Sequence, residues 1–570
     1  DEKDLTKLAQ YTNATISDGH SEAYQWENIL TYNFDINKDH HFTVTGVTTW
    51  SDSKNEKNSE YTDGITSNAY YWTNLGAAVG ENKSLSSDYS MGKSMGLVGR
   101  INYSYAGKYL ASVSVRHDGN SKLAKDVRWD TFPAFSLGWR ISEEKFMEKT
   151  RGWLDNLKIR AGWGVTGAAN IAPYSSWSIL QQGKMALGGQ TIINYYFPAT
   201  ITNAALTWEK SYNTNLGIDA SFLNGRIDLN ADFYITKTKD VIWKMNLPIN
   251  NGGASATTPF NTTGNLAETK NTGFELTLNT RNIVKKDFTW TSTLTFSTNK
   301  EKVVSLGEGA GNYVTNGDWT LHVGDAIKSY YDYKCIGVWQ TDEAAKAACL
   351  GLLPGDLKLE IPNSEYLLDE QGNTILRKYY DEYDEQGQRK YNDYSADNTY
   401  TPNDATDKQI LGHNTPSWQM GFQNTLTYKD FDLSIYLYTR QGQMMYYEPL
   451  SWYNPTGGNF PTYFDYWTPE NGANDFPALN ADRTWSVQDQ IARCYVSGTF
   501  WKIKNITLGY TLPHNLCAKA GMSKLRVYAT ISNPFVWATD HLVKDYDPEM
   551  NGSLDFPLTR QLVFGVNLSF

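Results

Sequence analysis

Side-chain alternation of period two recurs along nearly the whole chain, and no other feature narrows the choice of fold so far. Tyr24, Trp26, Leu30, Tyr32 and Phe34 share one face of a strand, with Gln25, Glu27, Thr31 and Asn33 on the other. The pattern returns at Leu97 to Tyr105, Tyr109 to Val115, Phe135 to Ile141, Leu157 to Val165, Leu216 to Phe222, Ile227 to Ile235, Phe274 to Leu278 and Phe288 to Phe296. It continues at Trp418 to Tyr428, Phe431 to Leu437, Ile506 to Tyr510 and Leu525 to Ile531. The last stretch carries Leu562, Phe564, Val566, Leu568 and Phe570 on one face, so the final aromatic is in register with the apolar side. No run of about 18 apolar residues occurs, which leaves strands rather than helices to cross any membrane. A strand shows lipid only every second side chain, so its mean hydropathy stays modest.

Roughly fifteen strands follow from this pattern, and their links sort by length. Short links fall near Asp35–His40, Ala106-Gly107, Glu143–Gly152, Asn224-Gly225, Arg281–Lys286, Lys429-Asp430 and Pro513–Lys524. Between them lie longer ones: Ser51–Lys93, His117–Asp130, Thr166–Tyr212, Lys239–Asn271, Lys300–Pro416, Gln441–Gly498 and Asn533–Thr559. Short periplasmic turns and long extracellular loops are the outer-membrane arrangement. The expected fold is therefore all-β, a large transmembrane antiparallel β-barrel. Asn224-Gly225 suits a two-residue I′ hairpin turn. An odd strand count with both ends toward the periplasm leads us to expect further N-terminal strands, about seven if the barrel resembles the 22-stranded plugged transporters. Residues 1–570 then form the C-terminal part of one barrel, with the plug and N-terminal strands outside this chain. The absence of a signal peptide and of a Met at Asp1 fits a processed, cleaved or partial chain.

Composition excludes other classes. The formal charge of −11, from 51 basic and 62 acidic residues without a basic stripe, argues against nucleic acid as a partner. Aromatics reach 14% of the chain, which suits interfacial girdles or carbohydrate platforms. Surface carboxylates are plentiful enough for a glycosidase pair, but no nucleophile elbow, zinc-protease motif or phosphate loop accompanies them, so no catalytic residue is assigned. None of Cys335, Cys349, Cys494 and Cys517 forms a CxxC pair, and no metal site is assigned. Cys335 and Cys349 fall on the same extracellular side and are candidates to bond. Cys494 and Cys517 fall on opposite sides, too far apart for the roughly 7 Å limit of a disulfide.

One stretch runs from Gly99-Arg100-Ile101-Asn102-Tyr103 through Arg116-His117-Asp118-Gly119-Asn120-Ser121, Arg128-Trp129 and Phe132-Pro133-Ala134 to Gly138-Trp139-Arg140. Further ones are Gly164-Val165-Thr166-Gly167, Leu206-Thr207-Trp208-Glu209, Asn271-Thr272-Gly273-Phe274, Tyr466-Trp467-Thr468-Pro469-Glu470-Asn471 and Asp547-Pro548-Glu549. Together these stretches, the first most strongly, resemble the SusC/RagA family of TonB-dependent transporters. One departure follows Pro354-Gly355-Asp356. Where the family often has a short calcium-like loop, this chain carries a long acidic insertion with two similar turns, Asp369-Glu370-Gln371-Gly372-Asn373 and Asp384-Glu385-Gln386-Gly387-Gln388. These read as tandem extracellular hairpins. Asn403 to Asp407 remains as an acidic loop that oxygen-ligated calcium would suit chemically; its spacing is not that of an EF-hand, and no cofactor is assigned.

The resemblance implies import across the outer membrane of a Bacteroidetes-type bacterium. It implies a SusD-like lipoprotein lid, TonB-ExbB-ExbD acting on the plug, and a dimer of barrel–lid pairs. Nutrient oligosaccharides are the commoner cargo of such a family; peptides, a passive porin or adhesin barrel, and a soluble glycan-binding β-protein stay open. The aromatic, Asn-rich loop from Ser451 to Phe464 supplies candidate substrate contacts in Trp452, Tyr453, Asn454, Tyr463 and Phe464, because aromatic faces stack on sugars and amides read hydroxyls. A packed loop at the barrel mouth is the alternative for each. Asp118 and Asn120 join them, although turn geometry also accounts for Asp118-Gly119. Trp467 reads as architectural. Phe564, Leu568 and Phe570 are expected to act as a membrane-assembly signal.

Overall fold

The computed structural model describes residues 13–65, 73–80, 82–178, 180–187, 191–198, 200–246, 261–307, 313–316, 319–384, 386–402, 407–452, 464–473, 475–479 and 491–570. Fifteen strands follow one another along a single sheet path in chain order. They are β1 (Asn13–Ile36), β2 (His40–Asp63), β3 (Lys83–Tyr105), β4 (Tyr109–Asn120), β5 (Trp129–Arg140), β6 (Leu154–Ala168), β7 (Glu209–Phe222) and β8 (Ile227–Asn246). Then come β9 (Asn261–Val284), β10 (Phe288–Ser305), β11 (Trp418–Tyr428), β12 (Phe431–Gln441), β13 (Phe500–Thr511), β14 (Lys524–Ala538) and β15 (Gln561–Ser569). The links keep the expected alternation except around β5, where 121–128 on the long side is shorter than 141–153 on the short side. Residues 37–39, 106–108, 141–153, 223–226, 285–287, 429–430 and 512–523 make the short set, and 64–82, 121–128, 169–208, 247–260, 306–417, 442–499 and 539–560 the long set.

The chain divides into two compact units. The first comprises Asp1–Glu144, Ile159–Leu216 and Thr236–Thr269, the second Lys145–Lys158, Gly217–Ile235 and Lys270–Phe570. In the first, β1 to β5 pair antiparallel without a register shift. That register lines up two aromatic rows on the apolar face. One is Trp26–Trp50–Met95–Gly119–Trp129, with the Trp129 ring covering Gly119; the other is His40–Tyr105–Tyr109–Trp139. Tyr105, Tyr109 and Trp139 stack with centroids 6.1 and 6.4 Å apart, and Glu144 accepts from the Tyr109 hydroxyl and the Trp139 indole. Trp129 and Trp139 are ten positions apart, roughly 33 Å along a strand and ~25 Å of height at the usual barrel tilt. Val113, Val115, Phe135 and Leu137 stand exposed between the rows. An apolar belt of that height between aromatic rows is a lipid face.

In the second unit β10 to β15 continue antiparallel. Trp418 and Tyr428 repeat the ten-residue spacing on β11. The apolar phase of β13 changes from Trp501 and Ile503 to Ile506, Leu508 and Tyr510, and a β-bulge absorbs the change. Ile503 pairs Leu437 and Asn505 pairs Tyr436, so Lys504 is the extra residue.

Three expectations need correction. β2 and β3 extend far into what reads as the Ser51–Lys93 loop, and β1 begins at Asn13, well before Tyr24, because Ser, Asn, Lys and Glu on both faces hide a strand from an alternation test although the backbone ladder still forms. The Asn224-Gly225 turn has four residues, not two. Leu223, Asn224 and Gly225 all adopt positive φ, and the neighbouring chain holds them through Leu223 N–H to Trp153 O (2.8 Å) and Gly225 N–H to Asp155 Oδ2 (3.0 Å). The Cys335–Cys349 disulfide that the sequence leaves open does not form; no described cysteine is in a disulfide. Cys349 is buried beside Trp339 and Leu376, with Sγ donating to the carbonyls of Ala345 and Thr374. Cys335 sits on a separate strand, Cys335–Val338.

Val113→Arg is expected to cost roughly 2–4 kcal/mol of barrel stability at mid-belt, whereas Ser112→Arg, on the opposite face, costs little. Urea titration of the reconstituted protein, read as the heat-modifiable folded band, distinguishes the two.

Candidate functional site

The long-loop side of the second unit is built on a small core of Met445, Leu450, Phe464, Phe476, Cys494, Val496 and Val543. Phe464 stacks on Phe476 at 4.5 Å, the Arg493 guanidinium lies 4.4 Å from the Phe476 ring, and burial pushes the Cys494 thiol up to about 11. Phe464 therefore holds the loop and has no open face for a sugar; the packed-loop alternative describes it. Trp452 ends the short helix Pro449–Trp452, whose Leu450 is buried, and is itself 59% exposed. Tyr453, Asn454 and Tyr463 lie outside the described residues.

Asp118 and Asn120 sit at the long-loop end of β4. The Asp118 carboxylate accepts from Arg116 Nε at 2.5 Å, and its Oδ1 lies above Gly96, where any Cβ would be 2.3 Å away. That Oδ1 is buried with no hydrogen-bond partner among the described residues. Asn120 Oδ1 accepts from Lys122 N–H, so it shapes the connection. Gly119 is not a turn residue. It lies within β4, and its missing Cβ makes room for Trp129, on which His117 stacks at 5.2 Å.

The motif residues hold the loops. Trp208 donates Nε1–H to the Arg128 carbonyl at 2.9 Å and meets Phe132 edge-on, while Phe132 covers Gly167. Asn265 brackets Thr207, accepting from its N–H and donating to its carbonyl, both at 2.9 Å. Trp467 packs on Gly355, at φ +91°, and donates to Gln340 Oε1. The tandem turns fold alike. Asp369 Oδ1 accepts from the N–H groups of Gln371 and Asn373, and Asp384 Oδ1 from those of Gln386 and Gln388, within the antiparallel meander Ser364–Leu368, Thr374–Tyr383, Arg389–Tyr394. Of the Asn403–Asp407 loop only Asp407 is described; it is buried, 2.8 Å from Lys378 Nζ and hydrogen-bonded by Tyr400. Among the described residues no three His, Cys, Asp or Glu side chains gather as a metal site.

A surface that sequence reading passed over is the polar face of β9 to β12. Glu275, Thr277, Thr295, Ser297, Gln419, Gly421 and Tyr438 contribute to a recess of about 350 Å³. Two rings lie over glycines there, Tyr234 over Gly273 and Tyr436 over Gly421. The Tyr438 hydroxyl donates to Gln419 Oε1 (3.1 Å) and accepts from Arg440 Nε (2.8 Å), and Lys504 Nζ is 4.6 Å from its ring. The signal available in sequence was Tyr436 and Tyr438 alternating on the polar side of β12, two residues apart and out of phase with Ile435 and Leu437.

Beside this face, on the strand paired with β12, lies an ion network. Lys502, fully buried, reaches Asp547 at 2.5 Å and Glu549 at 2.7 Å, and Lys504 reaches Glu549 at 2.5 Å. Burial alone would raise the Glu549 carboxyl, but the hydrogen bonds from Lys502 and Lys504 outweigh it and hold the group below its ordinary range. A depressed carboxylate contributes stability above the unfolded pKa of about 4.3 and loses it as pH falls through the lower folded value. Limited proteolysis of segment 539–560 is expected to accelerate below that pH. Lys502→Met is expected to accelerate it at neutral pH too, because Asp547 loses its ammonium partner and Glu549 keeps only Lys504, at a cost of roughly 3–5 kcal/mol.

The family model "TonB dependent receptor-like, beta-barrel" matches residues 3–347. A TonB-dependent receptor of Formosa agariphila is 28% identical over 99% of this chain and 55% of its own length. SusC of Bacteroides thetaiotaomicron is 30% identical over 83% of the chain and 43% of its own length. The structure titled as the RagAB peptide transporter superposes with a TM-score of 0.78 at 20% identity, over 98% of this chain and 56% of that one. The chain thus spans about half the length of the relatives it matches. The sorted loops, the lipid belt and these matches agree that the chain belongs to the TonB-dependent receptor β-barrel family of the bacterial outer membrane, in its SusC/RagA branch.

Proposed function

We propose that the chain is the major part of the barrel of an active importer of nutrient oligosaccharides across the outer membrane. TonB-ExbB-ExbD would drive it through a plug outside these residues, and a SusD-like lipoprotein would lid it from outside. The polar face of β9 to β12 carries the reading. Its hydroxyls and amides, from Thr277, Thr295, Ser297, Gln419 and Tyr438, with Tyr234 from the adjoining β8, suit sugar hydroxyls, and the tyrosine rings offer flat apolar area. The exposed Trp452 is a further stacking candidate, and Tyr453, Asn454 and Tyr463 of the same loop stay proposed contacts; in the first unit, Asp118 and Asn120 are proposed separately. A peptide cargo is the second reading: Glu275, Arg440 and Lys504 bring both charge signs to the same face, and the RagAB neighbour is titled a peptide transporter. Barrel–lid pairs associate as dimers in this proposal, and Phe564, Leu568 and Phe570, exposed on the apolar face of β15, serve assembly.

Uptake of labelled oligosaccharides and peptides by cells carrying the whole protein tests it. Oligosaccharide uptake is expected to vanish without TonB. It should fall a few-fold in Tyr438→Phe with Gln419→Ala, as the loss of one or two hydrogen bonds at about 0.5–1.5 kcal/mol each predicts, and also in Trp452→Ala. Selective loss of peptide uptake would establish the second reading. Uptake that persists without TonB would make the barrel a passive pore.

A further inference from the structure

The lipid face of β1 to β4 bears a groove that none of these roles uses. Its floor is Gly46 and Gly99, direct partners across β2 and β3. A Cβ added at either would meet no atom within 4 Å. Leu30, opposite Gly46, and Val115, opposite Gly99, stand at its ends, and Leu97 forms a wall. The space is about 640 Å³, within the roughly 300–1,000 Å³ of small-molecule sites. Glycine within a strand weakens it and often marks a bulge, a tight bend or the close approach of another group; β2 and β3 pair here without a bulge. Gly119, Gly167, Gly273 and Gly421 obey that rule, each beneath an aromatic ring; Gly46 and Gly99 have nothing above them.

One step toward the long loops, the same face turns polar. Asn28 and Thr48 are register partners, joined by Asn28 Nδ2–H to Thr48 Oγ1 at 3.1 Å. Trp26 Nε1–H, from the tryptophan row just beyond, donates to Asn28 Oδ1 at 3.1 Å. His117 completes the rim. An apolar slot thus runs up to a ledge of amide and hydroxyl groups directly under the aromatic row, the depth at which a lipid changes from acyl chain to linkage. The geometry points to a bound-lipid site. One acyl chain of the extracellular leaflet lies on the Gly46–Gly99 floor, and its ester or amide linkage meets Asn28 and Thr48. Hydrocarbon suits the walls, and carbonyl oxygens suit the ledge.

The test uses the whole protein from its native outer membrane, exchanged exhaustively into detergent and examined by native mass spectrometry and lipid extraction. One lipid per chain is expected to survive exchange. Gly46→Leu with Gly99→Leu, which fills the slot, is expected to lower retention at least tenfold while the heat-modifiable band shows a folded barrel. Asn28→Leu, which leaves the slot open, should lower it severalfold. Independently, brominated acyl chains should quench tryptophan emission more in the wild type than in the filled variant. Retention and quenching that are unchanged by filling, or a wild type without lipid, would overturn the assignment. So would association of two copies that the filled variant abolishes while lipid retention stays constant.

Discussion

Hydrocarbon offers a peptide group no water, so every N–H and C=O of a strand inside the membrane has to be satisfied by the next strand. The rest of this structure answers to that demand. Strands follow one another in chain order because a meander pairs each with its neighbour through the shortest link. Where the side-chain phase of β13 slips between Ile503 and Ile506, the ladder is preserved by setting Lys504 out as a bulge. Three of the longest strands, β1 to β3, keep pairing well past the lipid belt, with polar side chains on both faces.

Once the ladder is fixed, side chains sort into two faces with different rules. On the lipid face, large apolar residues stand between two aromatic rows. On the opposite face, tyrosines lie over glycines of the adjoining strand, and hydroxyls and amides bond one another. The residues that carry the family resemblance mostly serve neither cargo nor lipid. Phe132 over Gly167, Trp208 on the Arg128 carbonyl, Trp467 over Gly355, and Asp547 and Glu549 around Lys502 fasten loops to strand ends. A resemblance built on such residues identifies an architecture closely and says little about what passes through it.

The candidate contacts were legible to different degrees. Trp452 and Phe464 look alike in sequence, both aromatics of one Asn-rich loop, yet one is exposed and the other is stacked on Phe476. The partner that buries Phe464 lies twelve residues on, and nothing local announces it. Asp118-Gly119 reads as a turn because that dipeptide usually is one; the pairing of Gly119 with Trp129 across the strands makes it a seat for a ring. The two Asp-Glu-Gln-Gly turns needed no tertiary partner, since each aspartate bonds main-chain groups within four residues, and they fold as read.

What this sequence determined by itself was whatever depends on neighbours in the chain: strand periodicity, the short and long links, the phase of the apolar face, and the tandem hairpins. Register, the bulge at Lys504, the buried Lys502 network, the rings seated on glycines and the open floor of Gly46 and Gly99 were decided only in three dimensions. Each brings together residues from separate strands or loops, and a period-two pattern says which face a side chain takes without saying what stands opposite it.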